Sequence, residues 1–139
     1  MLGISPKLPL QLSSSDGPYR LTKTIKEAIS QNLKMLILTN PGERMMDPNF
    51  GAGLRRYLFQ NFSPTIYDKI TSRIDEQVRI YLPQVNIQKV IFNESQDDQA
   101  ISDMMDNNIL SVTIRYSIGS FPGSEILTIP IVQWPLIIF

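Results

Sequence analysis

Neither cysteine nor histidine occurs in the 139 residues of this chain. Their absence removes disulfide scaffolds, thiolate zinc sites, cysteine nucleophiles and every triad that uses imidazole as its base, while the redox compartment stays open. An excess of either charge is missing too. Thirteen basic residues cancel thirteen acidic ones, which leaves no net field to attract DNA, RNA or an anionic membrane. No apolar run approaches the ~20 residues of a membrane span, and the opening MLGISPKLPLQLSSSDG lacks the continuous apolar core of a signal peptide. We therefore expect a soluble protein made in a cytoplasm, with no nucleic-acid or membrane partner. Its length suits one domain that buries roughly two thirds of the surface exposed by the unfolded chain.

The first segment is rich in turn-forming residues. Pro6, Pro9, Pro18, Gly3, Gly17 and a run of serines favour an extended arm over residues 1–21. Thr24 stands three residues before Glu27, the capping-box spacing. Ile25, Ile29, Leu33, Leu36 and Ile37 then recur at helical intervals and predict one apolar face. Asn40-Pro41-Gly42 ends that helix near Thr39. A short helix over residues 54–60 follows, and Ser63-Pro64 opens a longer one lined by Ile66, Ile70, Ile74, Val78 and Tyr81. Pro83 closes it.

Beyond Pro83 the period changes to that of strands. Val85, Ile87 and Ile91 alternate with polar residues, Val90 and Phe92 being ambiguous, and Leu110, Val112, Ile114, Tyr116 and Ile118 alternate cleanly. Phe121-Pro122-Gly123-Ser124 is a turn, and residues 125–132 form a third strand, placed at an edge because Pro130 has no amide to donate. The expected fold is α+β, with N-terminal helices packed on a small three-stranded antiparallel meander. Residues 22–132 form the folded domain, and 133–139 form an apolar C-terminal tail.

Between the helices the chain reads LTNPGERMMDPNFGAGLRRYLFQ. Glycines and prolines surround a Glu43-Arg44 pair and lead into an apolar-rich segment, the composition of an ordered loop. This wording resembles the signature of the baseplate wedge family of contractile phage tails, related to the sheath-docking subunit of type VI secretion baseplates. Leu38 and Thr39, then Gly42, Glu43 and Arg44, then Asp47, Pro48, Phe50 and Gly51, then Leu58 and Phe59, match its pattern in order. The likeness extends over about residues 22–132, which makes that span a wedge domain. One departure stands out. Where the family shows Glu-Pro-Arg at the end of the long helix, this chain has Leu82-Pro83-Gln84, so an ion-pair role there does not carry over, whereas the turning role of Pro83 does.

The resemblance implies a structural subunit, present in several copies of a sixfold baseplate in the virion tail. Its expected partners are other wedge subunits and the tail sheath protein, whose assembly it would initiate or dock. The equivalent subunit of a type VI secretion or other contractile injection system is the alternative. A tail-associated peptidoglycan hydrolase is a second one, since the family has carried a lysozyme label. Glu43 and Asp47 are the only carboxylates in the loop, but a spacing of four residues says nothing about the ~5 to 9 Å carboxyl separation of glycosidases. We expect no catalytic residue, no cofactor and no metal. The acidic stretch 94–108 is read as a solvated loop, since it lacks the spacing, central glycine and terminal glutamate of a calcium-binding EF-hand loop. Gly51-x-Gly53 is read as turn chemistry, because neither a P-loop nor a dinucleotide fingerprint surrounds it. Glu125, Ile126, Leu127 and Thr128 on the edge strand, and Trp134 and Phe139 in the tail, are the candidate partner contacts.

Overall fold

In the computed structural model, residues 3–57, 60, 63–92 and 109–132 are described. The helix α1 spans Ile25–Leu38. Thr24 caps it, its hydroxyl accepting from the Glu27 amide at 3.3 Å, while the Glu27 carboxylate accepts from the Lys23 amide at 3.3 Å. That backbone donor holds the Glu27 carboxyl below its usual range. Ala28, Ile29, Leu33, Leu36 and Ile37 are buried, but Ile25 is 54% exposed and does not belong to the predicted face. In the first turn it points past the core.

A single 3₁₀ turn, Leu54–Tyr57, replaces the first part of the expected short helix. Helix α2 spans Pro64–Tyr81, with proline in its first turn. Ser63 contributes its carbonyl, which accepts from Ile66 and Tyr67 amides, and its side chain makes no capping bond. Ile70, Ile74 and Val78 pack against α1 residues and the sheet. Leu82 closes the helix by donating to the Val78 carbonyl, and Val85 donates back to Leu82 across Pro83.

Strands β3 (Val85–Phe92), β4 (Ile109–Ile118) and β5 (Ser124–Val132) form an antiparallel sheet in the order β3-β4-β5. Both outer strands keep one side open among the described residues. Val112, Ile114, Tyr116 and Ile118 of β4 are buried, as their alternation predicts. In β3 the alternation breaks, because Ile87 pairs with Tyr116 while Lys89 pairs with the adjacent Arg115. The extra residue, Gln88, is a bulge that reverses which side chains face inward. Val90 and Phe92 therefore join Val85 and Ile87 against the core, and the predicted inward place of Ile91 is taken by its neighbours. Phe92 stacks on Tyr67 with ring centroids 4.6 Å apart.

The N-terminal segment is extended and doubles back on itself. Strands β1 (Ser5–Pro6) and β2 (Leu21–Thr22) pair antiparallel, and a bridge joins Leu12 to Tyr19. Gly17, at φ 105°, permits the reversal. Gln31 of α1 grips this hairpin from both sides: its amide nitrogen donates to the Pro6 carbonyl at 3.0 Å and its oxygen accepts from the Leu8 amide at 3.1 Å. The residues 94–108, and the tail with Trp134 and Phe139, lie outside the described residues.

Candidate functional site

Gly51 is the pivot of the loop between α1 and α2. At φ +110° it adopts a backbone that side chains avoid, and a Cβ there would stand 2.1 Å from the Thr39 carbonyl oxygen. This approach lets the loop dock on the end of α1. Ala52 donates to the Leu36 carbonyl and Gly53 to that of Thr39, each at 3.0 Å. The Gly51 amide donates at 2.9 Å to the side-chain oxygen of Gln77, a residue of α2 that is only 2% exposed. Arg73, one turn earlier, donates to the Asn49 and Gly51 carbonyls at 3.3 Å each.

The other signature residues bind the loop to itself and to the end of α2. Gly42 donates to the Pro48 carbonyl at 2.8 Å. Both oxygens of Glu43 accept from Asn40, one from its backbone amide and one from its side-chain amide, at 3.2 Å each. Arg44 lays its guanidinium 3.6 Å from the centre of the Phe50 ring, so this cation meets an aromatic face. Phe50 is 8% exposed and meets Tyr81 edge-to-face at 4.8 Å. Asp47 accepts from the Tyr81 hydroxyl at 2.7 Å, and this bond pushes the Tyr81 hydroxyl pKa above its ordinary value. Met45 and Met46 stand at the tip, 96% and 99% exposed. Leu58 and Phe59 lie outside the described residues.

Each of the two loop carboxylates thus has a hydrogen-bond partner. Asn32, Met35, Leu36, Arg44, Phe50, Tyr81 and Leu82 line a cleft of about 340 Å³ beside the loop, and neither Glu43 nor Asp47 is among them. No group of three or more carboxylates able to hold a metal occurs among the described residues. Pro83 sits at the turn from α2 into β3.

The second surface of interest is the open side of β5. Glu125 forms an ion pair with Lys26 of α1 at 3.0 Å. Ile126 is 60% exposed, Leu127 packs against the core, and Thr128 meets Thr113 of β4 hydroxyl to hydroxyl at 3.3 Å. Between this strand, α1 and the hairpin runs a groove of about 430 Å³.

The order of helix, docked glycine loop, helix and meander is matched by known proteins. The family model described as baseplate wedge protein gp25 fits residues 23–122. The chain belongs to that family. Baseplate wedge protein gp25 of Enterobacteria phage T4 is 32% identical over 95 residues, which are 68% of this chain and 65% of that protein. The chain thus spans just under two thirds of the length of that relative. Two solved structures share the fold of this gp25-family chain. One is a Geobacter sulfurreducens protein described provisionally as a tail lysozyme, at a TM-score of 0.64 and 22% identity, covering 84% of this chain and 97% of the other. The second lies in the sixfold-symmetrised baseplate of the anti-feeding prophage, at a TM-score of 0.55 and 21% identity, covering 92% and 83%.

Sequence reasoning missed three of the residues that hold the gp25-family loop: Gln77, Arg73 and the Asp47 partner Tyr81. Gln77 follows Ile70 and Ile74 at the helical interval of inward positions, so periodicity alone could have placed it. Its polarity concealed it.

Proposed function

We propose that this chain is a structural subunit of a contractile-tail baseplate wedge, built into a sixfold ring in the virion, where it contacts other wedge subunits and docks the first turns of the sheath. Its synthesis would take place in the host cytoplasm. Family membership supplies the wedge assignment. The observation that supports the docking role is the meander whose two outer strands each keep one edge open among the described residues, since open edges accept an added strand through main-chain hydrogen bonds. Around a closed ring, many such weak contacts act together, so a complete baseplate would recruit sheath far better than a lone subunit.

Two observations favour this reading over hydrolysis. Glu43 accepts from Asn40 within the loop and Asp47 accepts from Tyr81 of α2, and neither lines the adjacent cleft. Likeness to an anti-feeding prophage baseplate favours, as a second reading, the same role in another contractile injection machine, and neighbouring capsid or effector genes would separate the two. The test of the structural role is a zymogram beside a particle analysis. Purified protein should leave peptidoglycan intact, and tails lacking the chain should fail to assemble sheathed baseplates. Lysis by wild-type protein that disappears in a folded Glu43→Gln variant would overturn the proposal.

A further inference from the structure

Single apolar side chains are common on protein surfaces and need no partner. Met45 and Met46 differ from that case. Both are almost wholly exposed, they are neighbours in sequence, and the loop that carries them is fixed on either side. Gly42 donates to the Pro48 carbonyl across the base of the tip, and Gly51 and Ala52 are bonded to Gln77 and Leu36. The tip thus holds two flexible, polarisable side chains in water at a defined place. Such thioethers adapt to an irregular apolar surface without a close fit.

Beside the tip lies the cleft of about 340 Å³. Buried Leu36, Phe50 and Leu82, with half-buried Met35 and Tyr81, make it largely apolar. Among the described residues that line it, Arg44 alone carries a charge. The Phe50 ring covers one face of its guanidinium, an arrangement that leaves the N–H groups in the guanidinium plane to bond outward. No ion pair joins Arg44 to a described residue. Asp47, which acts with Arg44 on Tyr81, accepts from the Tyr81 hydroxyl instead. The fork is therefore oriented but unanswered. Its complement is a carboxylate bound bidentately, carried beside side chains that can enter an apolar cleft. The long walls of the cleft are helices α1 and α2, whose backbone groups bond within the helix, so recognition here runs through side chains.

We propose that the cleft and the methionine tip form a socket for an acidic side chain flanked by large apolar residues on another baseplate polypeptide. Arg44 pairs with the carboxylate, the apolar neighbours enter the cleft, and Met45 and Met46 close over them. With Phe50 behind the guanidinium and apolar groups around it, such a pair is shielded from water and stronger than one on an open surface. The inference rests on the structural role proposed above and adds a contact that uses no strand edge.

Methionine oxidation reads the tip directly. In the free wild-type chain, dilute peroxide should convert Met45 and Met46 to sulfoxides faster than half-buried Met35. In purified sheathed tails both should react at least about tenfold more slowly than in the free chain, because a covered thioether meets the oxidant only when the contact opens. Rates unchanged by assembly would overturn the proposal. A second arm reads the carboxylate. Arg44→Lys keeps the charge and supplies an amine, and carbodiimide treatment of tails carrying it should couple that amine to an aspartate or glutamate of another polypeptide, an amide that peptide mass spectrometry locates. Coupling confined to this chain's own carboxylates, or none, would refute the pairing. Arg44→Glu, and Met45→Ser combined with Met46→Ser, should fold yet enter tails at least about tenfold less than wild type, as expected when a shielded contact is reversed or stripped of its apolar cover. Normal incorporation of either would equally refute the socket. Absence of the wild-type chain from purified tails would instead defeat the wedge assignment.

Discussion

Gly42 and Gly51 both adopt positive φ, at +93° and +110°, but only Gly51 is crowded. Replacing each by alanine therefore separates backbone strain from close approach. At Gly42 a Cβ meets nothing within 4 Å, and the cost should be the conformational term alone, about 1–2 kcal/mol. At Gly51 the same term applies, and the Cβ collides with the Thr39 carbonyl oxygen, an atom fixed by the end of α1. Relief requires lifting the loop, which breaks or stretches the bonds from Gly51 to Gln77, from Ala52 to Leu36 and from Gly53 to Thr39. At about 1 kcal/mol net for each bond, the total reaches about 4–5 kcal/mol, a large part of the ~5–15 kcal/mol that holds a typical domain together. With roughly 3 °C lost per kcal/mol at this size, Gly42→Ala should lower the melting temperature by about 3–6 °C and Gly51→Ala by about 12–15 °C. Thermal and urea unfolding followed by circular dichroism would measure both. Equal losses in the two variants would show that the loop is not held by its contact with Thr39, and the reasoning would fail.

Phe50→Ala should cost about 3–5 kcal/mol, the range for buried aromatics, and an unchanged unfolding midpoint would place the ring outside the core. Tyr81 gives a pH signature. Its hydroxyl has a raised pKa in the folded state because it donates to Asp47, so the associated stability is complete below the unfolded value of 10.0 and declines as pH rises through the folded one. Tyr81→Phe should lower stability near neutral pH and flatten that alkaline decline; an unaltered slope would mean that another group causes it.

Periodicity reveals an element where its partners are uniform along its length. Helix α1 and strand β4 meet that condition, each facing one continuous core, and their buried sets follow the predicted intervals, apart from the exposed Ile25 at the helix entrance and the buried Ala28 and Ser111. Strand β3 does not, because the bulge at Gln88 is a property of its pairing with β4 and has no counterpart in residue type. The turn-rich arm suggested extension but not its return path, which depends on Gln31 reaching two backbone groups from a separate helix. In the loop, glycine and proline announced order. Which groups enforce that order was hidden in α2, where Arg73, Gln77 and Tyr81 act at long sequence distance from their targets.

The end of α1 has a kinetic implication. Helices commonly terminate with a cap formed by the next few residues, so the last turn can close on its own. Here the Leu36 and Thr39 carbonyls are satisfied by Ala52 and Gly53, which arrive only after the intervening chain has turned back. The last turn of α1 and the glycine loop should therefore become ordered in one step on the folding pathway, and substitutions at Leu36 and Ala52 should alter the folding rate in the same proportion to their effects on stability.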